Sequence, residues 1–149
     1  MVANFIILIL IVILDQVSKY GLLTIIGLNN IKEFIPGIIQ FTVVKNTGGA
    51  FSILSQYPIY FKIIGLVNVF IFSYLGLCPT VKFNKFIKTG CVFVLGGTIG
   101  NLIDRFIKGG VVDFLDFQFI NFAVFNLADV FIDIGVILIL IGWITKSKR

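Results

Sequence analysis

The stretch VANFIILILIVILDQVSKYGLL, residues 2–23, decides the fold of this 149-residue chain. It is apolar almost throughout, and at about 1.5 Å per helical residue it can cross a hydrocarbon core roughly 30 Å thick. It lacks the basic start and the small-residue cleavage site of a secretory signal peptide. We therefore expect it to stay attached as the first transmembrane helix.

Three further stretches have the same character. They are residues 59–77, 86–107 and 123–144. Hydrophobic residues make up 58% of the chain and charged residues only 13%, which is too apolar for a soluble domain. No linker, low-complexity tract or repeat divides the sequence. The sequence predicts an all-α polytopic membrane protein with four transmembrane helices, folded as a single membrane-embedded domain over residues 1–149.

The basic residues indicate how these helices are oriented. Half of the 12 lysine and arginine residues lie in two groups, near residues 82–88 and at residues 146–149. Four spans place both groups on one side, and an excess of Lys and Arg marks the cytoplasmic side of a membrane. We expect cytoplasmic termini, with connections 24–58 and 108–122 facing outward. The net charge of +5 thus reflects orientation rather than nucleic-acid binding.

The first outer connection is long enough to hold structure of its own. Residues 34–44 combine the turn-forming pair Pro36-Gly37 with a β-branched and aromatic run, which is typical of a strand. Thr47-Gly48-Gly49 would supply a turn, and residues 51–54 a returning segment. We expect a small extracytoplasmic β element between the first and second helices. It must lie in the interface or against the bundle, since a strand open to lipid is forbidden.

Several ionisable groups lie in or beside the apolar stretches, where a charge at the bilayer centre costs about 2.5 to 3.5 kcal/mol. With three asparagines they form the candidate functional set: Asp15, Lys19, Asn46, Asn101, Asp104, Arg105, Asp113, Asn126, Asp129 and Asp133. Asp15 and Lys19 are one helical turn apart, which suits an ion pair. Arg105 is placed to bind Asp104 or backbone carbonyl groups. These patterns fit a structural network and substrate binding equally well.

Asp113 and Asp129 are the candidate catalytic pair. Asp113 follows the third stretch and Asp129 lies about two turns into the fourth, so both are expected near the outer leaflet. Two carboxylates at one site cannot both ionise easily, so one can act as base and the other as acid in peptide hydrolysis, with no metal or cofactor. Paired acids also serve ion or proton pathways. Residue types alone therefore favour neither a hydrolase nor a translocator.

Two other aspartates are set aside. Asp116 is expected to be a solvated acid in the outer loop. Asp133 lies one turn deeper than Asp129 and is expected to repel its charge or to pair with Lys19 or another cation, without a catalytic role. The chain has no histidine, which excludes Ser–His and Cys–His nucleophile schemes.

Four blocks of the sequence resemble the lipoprotein signal peptidases (signal peptidase II). They are DQVSK at 15–19, NTGGAFS at 46–52, GNLIDR at 100–105 with VVDF at 111–114, and FNLAD at 125–129. The blocks fall in the family's order and span nearly the whole chain. Gly49, Thr98 and Ala123 depart from the residues usual in the family, but none of these departures involves a carboxylate.

The resemblance implies that Asp113 and Asp129 are catalytic, and it also implies a set of residues that orient the substrate and the pair. These are Asp15, Lys19, Asn46, Gly48, Asn101, Arg105 and Asn126. The implied protein is an aspartyl endopeptidase of the bacterial cytoplasmic membrane. It would remove the signal peptide from diacylglyceryl-modified prolipoproteins by cutting before the lipidated cysteine.

The partners expected from the resemblance are lipidated prolipoproteins and membrane lipids, with no nucleic acid, no metal and no cofactor. We expect the protein to work as a monomer. Two other functions stay open from the residues themselves. One is a small proton or ion translocator that uses the intramembrane carboxylates, and the other is a structural membrane subunit, which would leave the four blocks unexplained.

Overall fold

The computed structural model describes residues 2–49 and 53–146. It contains four long helices: α1 (Val2–Ile25), α2 (Pro58–Leu77), α3 (Lys85–Ile107) and α4 (Leu127–Lys146). Each is long and apolar enough to cross a membrane. The prediction of four helices able to span a membrane is confirmed.

The third helix, α3, lies at the centre of the bundle and packs against each of the other three. In its most apolar 18-residue window 67% of the residues are buried, against 17% or less in the other helices. Glycines allow this close packing, since a Cβ atom at Gly90 would lie only 2.6 Å from the carbonyl oxygen of Gly135 in α4. The other helices expose large apolar side chains, as lipid-facing helices do.

One asparagine links the start of α3 to the last turns of α4. Asn84 caps α3, because its Oδ1 accepts a hydrogen bond from the Ile87 N–H at 2.9 Å. Its Nδ2 donates to the carbonyl oxygen of Gly142 in α4 at 2.6 Å. Lys85 and Lys88 therefore lie in the first turn of α3.

Three antiparallel strands form a small sheet in the order β1-β2-β3. The strands are β1 (Ile31–Ile35), β2 (Ile39–Asn46) and β3 (Val111–Phe117). A short loop with Gly37 at φ +71° joins the first two, and this left-handed conformation favours glycine. The third strand comes from the connection between α3 and α4, so the β element is not confined to the first connection as predicted.

The predicted turn and return strand of this sheet were wrong. Residues 47–49 form a bend rather than a hairpin turn, and Ile53 and Leu54 lie in a turn rather than a strand. The other part of the predicted return, Phe51 and Ser52, lies outside the described residues. The partners of β2 are instead β1 before it and β3 from a distant part of the chain, because both present complementary backbone edges.

The sheet lies at the end of the bundle where α1 and α3 finish and α2 and α4 begin. Val43, Val112 and Phe114 form its buried core, packed against Leu22 and Ile26 at the end of α1. This arrangement places the end of β3 beside the start of α4. We call the end of the bundle that carries the sheet the sheet end, and the opposite end the far end.

The fourth helix begins four residues later than predicted, at Leu127 rather than Ala123. The backbone of Phe125 is paired with Leu115 of β3 in both directions, at 2.8 and 3.0 Å, so the chain stays extended there. Asn126 then accepts a hydrogen bond from the Asp129 N–H at 3.2 Å, as a helix cap does. Asp129 consequently lies in the first turn of α4 rather than two turns into it.

Candidate active site

A cavity of about 580 Å³ lies at the sheet end, between the sheet and the adjoining ends of α3 and α4. Its walls contain six of the nine residues predicted for the site: Asn46, Gly48, Asn101, Arg105, Asp113 and Asp129. The other three, Asp15, Lys19 and Asn126, are fully buried behind this wall. The structure thus brings the predicted residues together in two layers.

Asp113 lies in β3 and is 4% exposed. Its Oδ1 accepts a hydrogen bond from Asn126 Nδ2 at 2.6 Å, and its Oδ2 accepts one from Asn46 Nδ2 at 3.0 Å. Burial, followed by the charge of Asp129, raises the pKa of Asp113 from 3.8 to about 6. A proton on this carboxyl is therefore available close to neutral pH.

Asp129 is the third residue of α4, and its position follows from the cap of that helix. The Asn126 N–H donates to Asp129 Oδ2 at 3.1 Å while the Asp129 N–H donates back to Asn126 Oδ1. This reciprocal pair is a capping box, which fixes the side chain at the start of a helix. Asn101 of α3 donates from Nδ2 to Asp129 Oδ1 at 2.8 Å. Both carboxylate oxygens are thereby held.

Asn126 joins the two aspartates. Its side-chain Nδ2 donates to Asp113, and its backbone N–H donates to Asp129. The same Nδ2 also donates to Asn101 Oδ1 at 3.1 Å. A fully buried residue that donates to one carboxylate from its side chain and to the other from its backbone sets their relative position, since its own orientation is fixed by these partners.

Behind the cavity wall lies a buried ion cluster, which we define as Asp15, Lys19 and Asp104. The predicted pair of α1 is present, with Lys19 Nζ 2.9 Å from Asp15 Oδ2. Lys19 Nζ also lies 3.1 Å from Asp104 Oδ2 in α3 and donates to Asn101 Oδ1 at 3.0 Å. All three members of the cluster are 0% exposed.

Arg105 does not bind its neighbour Asp104. Its NH2 group donates to the carbonyl oxygen of Gly48 at 2.9 Å, which is the backbone alternative predicted from the sequence. The guanidinium carbon lies 5.2 Å from the centroid of the Phe61 ring. Asn46 completes the loop by accepting from the Gly48 N–H at 2.9 Å. Gly48 therefore serves the site through its backbone.

The two aspartates that were set aside have different surroundings. Asp116 is not a solvated loop acid: it lies half-buried in β3 and accepts hydrogen bonds from Gln40 and Thr42, both at 2.7 Å. Asp133 is exposed and lines the cavity, without a hydrogen bond or ion pair in the described part of the chain. It does not pair with Lys19, because that ammonium is held by Asp15 and Asp104.

Sequence reasoning missed the importance of Asp104. It was noted as an intramembrane charge but received no role beyond a possible bond to Arg105. In the structure it binds Lys19, Lys108 at 2.8 Å, and the Val112 N–H at 3.1 Å. The four-residue spacing of Asp104 and Lys108 was the signal that pointed to an ion pair.

Several known proteins are similar to this chain over most of its length. A family model described as signal peptidase (SPase) II matches residues 7–145. The lipoprotein signal peptidase of Enterococcus faecalis is 43% identical over 148 residues, covering 99% of this chain and 91% of that protein. The lipoprotein signal peptidase of Trichormus variabilis is 42% identical over 134 residues, covering 89% and 84%.

Solved structures show the same architecture. One bacterial membrane enzyme superposes with a TM-score of 0.89 at 33% identity, over 99% of this chain and 90% of that one. A second has a TM-score of 0.85 at 34% identity, over 96% and 93%. Since the family model and these relatives extend over nearly the whole sequence, the chain belongs to the signal peptidase II family.

Proposed function

We propose that this chain is an intramembrane aspartyl endopeptidase that removes the signal peptide from diacylglyceryl-modified prolipoproteins by cutting before the lipidated cysteine. Its family supports the substrate class, because its relatives are lipoprotein signal peptidases. The observation that carries the mechanism is the meeting of Asp113 and Asp129 at one cavity, joined through Asn126.

Two carboxyl groups that share one proton can hydrolyse a peptide bond. The ionised carboxyl takes a proton from water, and the water oxygen attacks the scissile carbonyl carbon while the other carboxyl protonates the carbonyl oxygen. The tetrahedral intermediate collapses as the leaving nitrogen receives a proton from the pair and the C–N bond breaks. The products are a signal peptide with a new carboxylate and a lipoprotein with a free amino group on its lipidated cysteine.

The neighbouring amides hold this pair for the reaction. Asn46, Asn101 and Asn126 each donate to a carboxylate oxygen, so neither aspartate has to reorganise when water is activated. Arg105 lines the cavity, and its buried Nε–H has no hydrogen-bond partner in the described part of the chain. A substrate carbonyl oxygen would satisfy that donor, which supports a role for Arg105 in orienting the peptide.

The charge distribution supports a site on the outer side of the bacterial cytoplasmic membrane. The basic group near residues 82–88 lies at the end of the bundle opposite the sheet, where α4 also ends, and such groups mark the cytoplasmic side. The sheet and cavity would then face outward at the leaflet where a diacylated cysteine is anchored. All site residues come from one chain, so we propose a monomer, folded as one domain, as the working unit.

The distribution of acids disfavours the rival translocator. The chain has seven acidic residues, and all of them lie in the sheet or in the half of a helix nearer to the sheet end: Asp15, Glu33, Asp104, Asp113, Asp116, Asp129 and Asp133. A proton or cation path across the membrane needs carriers through its depth. The half of the bundle farther from the sheet contains no Asp or Glu side chain that could carry a proton or bind a cation.

Cleavage of a diacylglyceryl-modified prolipoprotein by the purified protein in detergent tests the proposal. We expect Asp113→Asn and Asp129→Asn each to lower kcat by about 10³-fold or more, because each removes one of the two proton carriers. Asp116→Asn is the matched control, since it changes a carboxylate in the same strand that does not line the cavity. It should keep kcat within about threefold of the parent.

Each outcome is decisive when folding is checked by thermal unfolding in the same detergent. Cleavage that survives either active-site substitution would remove that aspartate from catalysis. A folded parent that does not cut the lipidated substrate would remove the proposed activity. Mass analysis of the products places the cut bond and separates cleavage before the cysteine from cleavage elsewhere.

A further inference from the structure

We propose that the ion cluster of Asp15, Lys19 and Asp104 is a positioning device that sets the spacing of the two catalytic aspartates through the backbone. The inference rests on the aspartyl mechanism proposed above and adds Asp104 to the residues on which that mechanism depends. None of the three side chains lines the cavity, so none contacts the substrate or the attacking water.

The two carboxylates of the cluster make the same kind of contact, one next to each catalytic aspartate. Asp15 Oδ1 accepts a hydrogen bond from the Ala128 N–H at 3.0 Å, and Ala128 directly precedes Asp129. Asp104 Oδ2 accepts one from the Val112 N–H at 3.1 Å, and Val112 directly precedes Asp113. Each catalytic residue is thus anchored at its neighbour's backbone nitrogen by a carboxylate from a different helix.

Lys19 connects these two anchors. Its ammonium lies 2.9 Å from Asp15 Oδ2 and 3.1 Å from Asp104 Oδ2, so it bridges α1 and α3 at the level of both N–H contacts. Its third partner is Asn101 Oδ1, at 3.0 Å. That contact turns the NH₂ group of Asn101 toward Asp129, because an amide that accepts at its oxygen donates from its nitrogen.

Stability alone is a weak reason for such a cluster. Buried ion pairs lose much of their attraction to desolvation, and apolar side chains of similar volume often stabilise a protein as well or better. Fixed geometry is the better-supported use, since two backbone segments from distant parts of the chain are tied to one cation. An error of about 1 Å in the position of reacting groups can cost about 100-fold in rate.

Gly100 is a second, independent indication that Asp15 packs tightly against α3. A Cβ atom at this position of α3 would collide with the carboxylate of Asp15. Gly97, one turn earlier, would collide in the same way with the carbonyl oxygen of Ala128. The central helix is therefore shaped to admit both the anchor from α1 and the backbone segment that it holds.

The two lysines that form ion pairs with Asp104 provide a matched test. Lys19 bridges the two anchors, whereas Lys108, which is 30% exposed, binds only Asp104 among the residues that the structure describes. We expect Lys19→Met to lower kcat by about 100-fold with KM changed less than about threefold, since positioning is lost but the cavity wall is intact. Lys108→Met should leave both constants within about threefold of the parent.

A pair of substitutions at Asp104 separates the backbone contact from general packing. Asp104→Asn keeps an oxygen that can accept from the Val112 N–H, whereas Asp104→Leu does not. We expect the Asn variant to retain at least about tenfold more kcat than the Leu variant. Equal values in the two folded proteins would overturn the anchor role of Asp104.

A triple variant keeps the proposal testable where a single charge change prevents folding. Asp15→Asn, Lys19→Met and Asp104→Asn together leave no unpaired charge within the buried cluster and retain both acceptor oxygens, while Lys108, which loses its ion partner, is 30% exposed. The proposal expects a folded protein with low kcat, because the bridge between the anchors is missing. Parent-like kcat in this variant or in Lys19→Met overturns it, as does a raised KM at unchanged kcat.

Asp113→Asn and Asp129→Asn are measured beside these variants so that the two proposals fail separately. If both are inactive while Lys19→Met cleaves at the parent rate, only the positioning role is wrong. If either aspartate variant still cleaves, the aspartyl mechanism itself is wrong, whatever the cluster variants do.

Discussion

Glycines allow α3 and α4 to approach closely at both ends of the bundle, but the polar contacts between the helices differ from one end to the other. At the far end, Gly90 and Gly142 allow close backbone approach, and Asn84 adds one cap and one cross-helix hydrogen bond. At the sheet end, Asn101 and Asn126 belong to a fully connected network of amides, carboxylates and one ammonium. Small-residue packing can join helices in lipid, so we assign the polar network at the sheet end to the proposed chemistry.

The two capping asparagines are expected to show the largest difference in kcat between the two ends of the bundle. Asn126→Ala removes the amide that contacts Asp113 and the cap that places Asp129, so kcat should fall by about 10³-fold. Asn84→Ala removes the equivalent cap at the far end and should cost about 1 to 2 kcal/mol of stability with kcat nearly unchanged. Steady-state cleavage and thermal unfolding of both variants measure the contrast. Similar kcat values would show that the two ends do not differ in role.

Packing at the far end is tested by Gly142→Ala. A Cβ atom there would lie 2.7 Å from Asn84 Oδ1 and 2.9 Å from the Ile87 nitrogen, so we expect a loss of about 1 to 3 kcal/mol. The site lies about 20 Å away along α4, so kcat of the folded protein should stay within about twofold. Gly21→Ala is the control, since no described atom outside the adjoining residues and backbone of its own helix lies within 4 Å of its Cβ position. A stability loss at Gly21 as large as at Gly142 would contradict this account.

Electrostatics at the sheet end are tested by titrating Asp113. Burial and the charge of Asp129 place its pKa at about 6, so this carboxyl should be mostly protonated below pH 6 and mostly ionised above it. Removing the neighbouring charge in Asp129→Asn should lower the pKa of Asp113, while burial keeps it above 3.8. Infrared titration of carboxyl bands, assigned with Asp113→Asn, measures both values. An unchanged pKa would mean that the two aspartates do not interact.

Asp133 should give the smallest effect. It lines the same cavity as Asp129, yet its carboxyl has no partner in the described part of the chain, so Asp133→Asn breaks no observed contact. We expect kcat and KM to remain within about threefold of the parent. A large rise in KM would instead assign Asp133 to substrate binding.

Much of the site was visible from the sequence because lipid makes local signals strong. An apolar stretch of sufficient length specifies a spanning helix whatever its neighbours are, and the four helices match the predicted ranges apart from the start of α4. The same rule makes any buried charge conspicuous, which is why Asp15, Asp113 and Asp129 stood out without a structure.

The remaining features depend on residues far apart in the chain. β3 completes the sheet only because Val112 and Phe114 pack with Val43, about 70 positions earlier, and no local pattern encodes that register.

The sequence by itself determined the membrane-spanning stretches, the candidate acidic residues and the family of the protein, since these follow from composition and local motifs. Only the tertiary structure decided that Lys19 bridges Asp15 and Asp104, because partner choice in a buried network is set by which helices touch and at what depth.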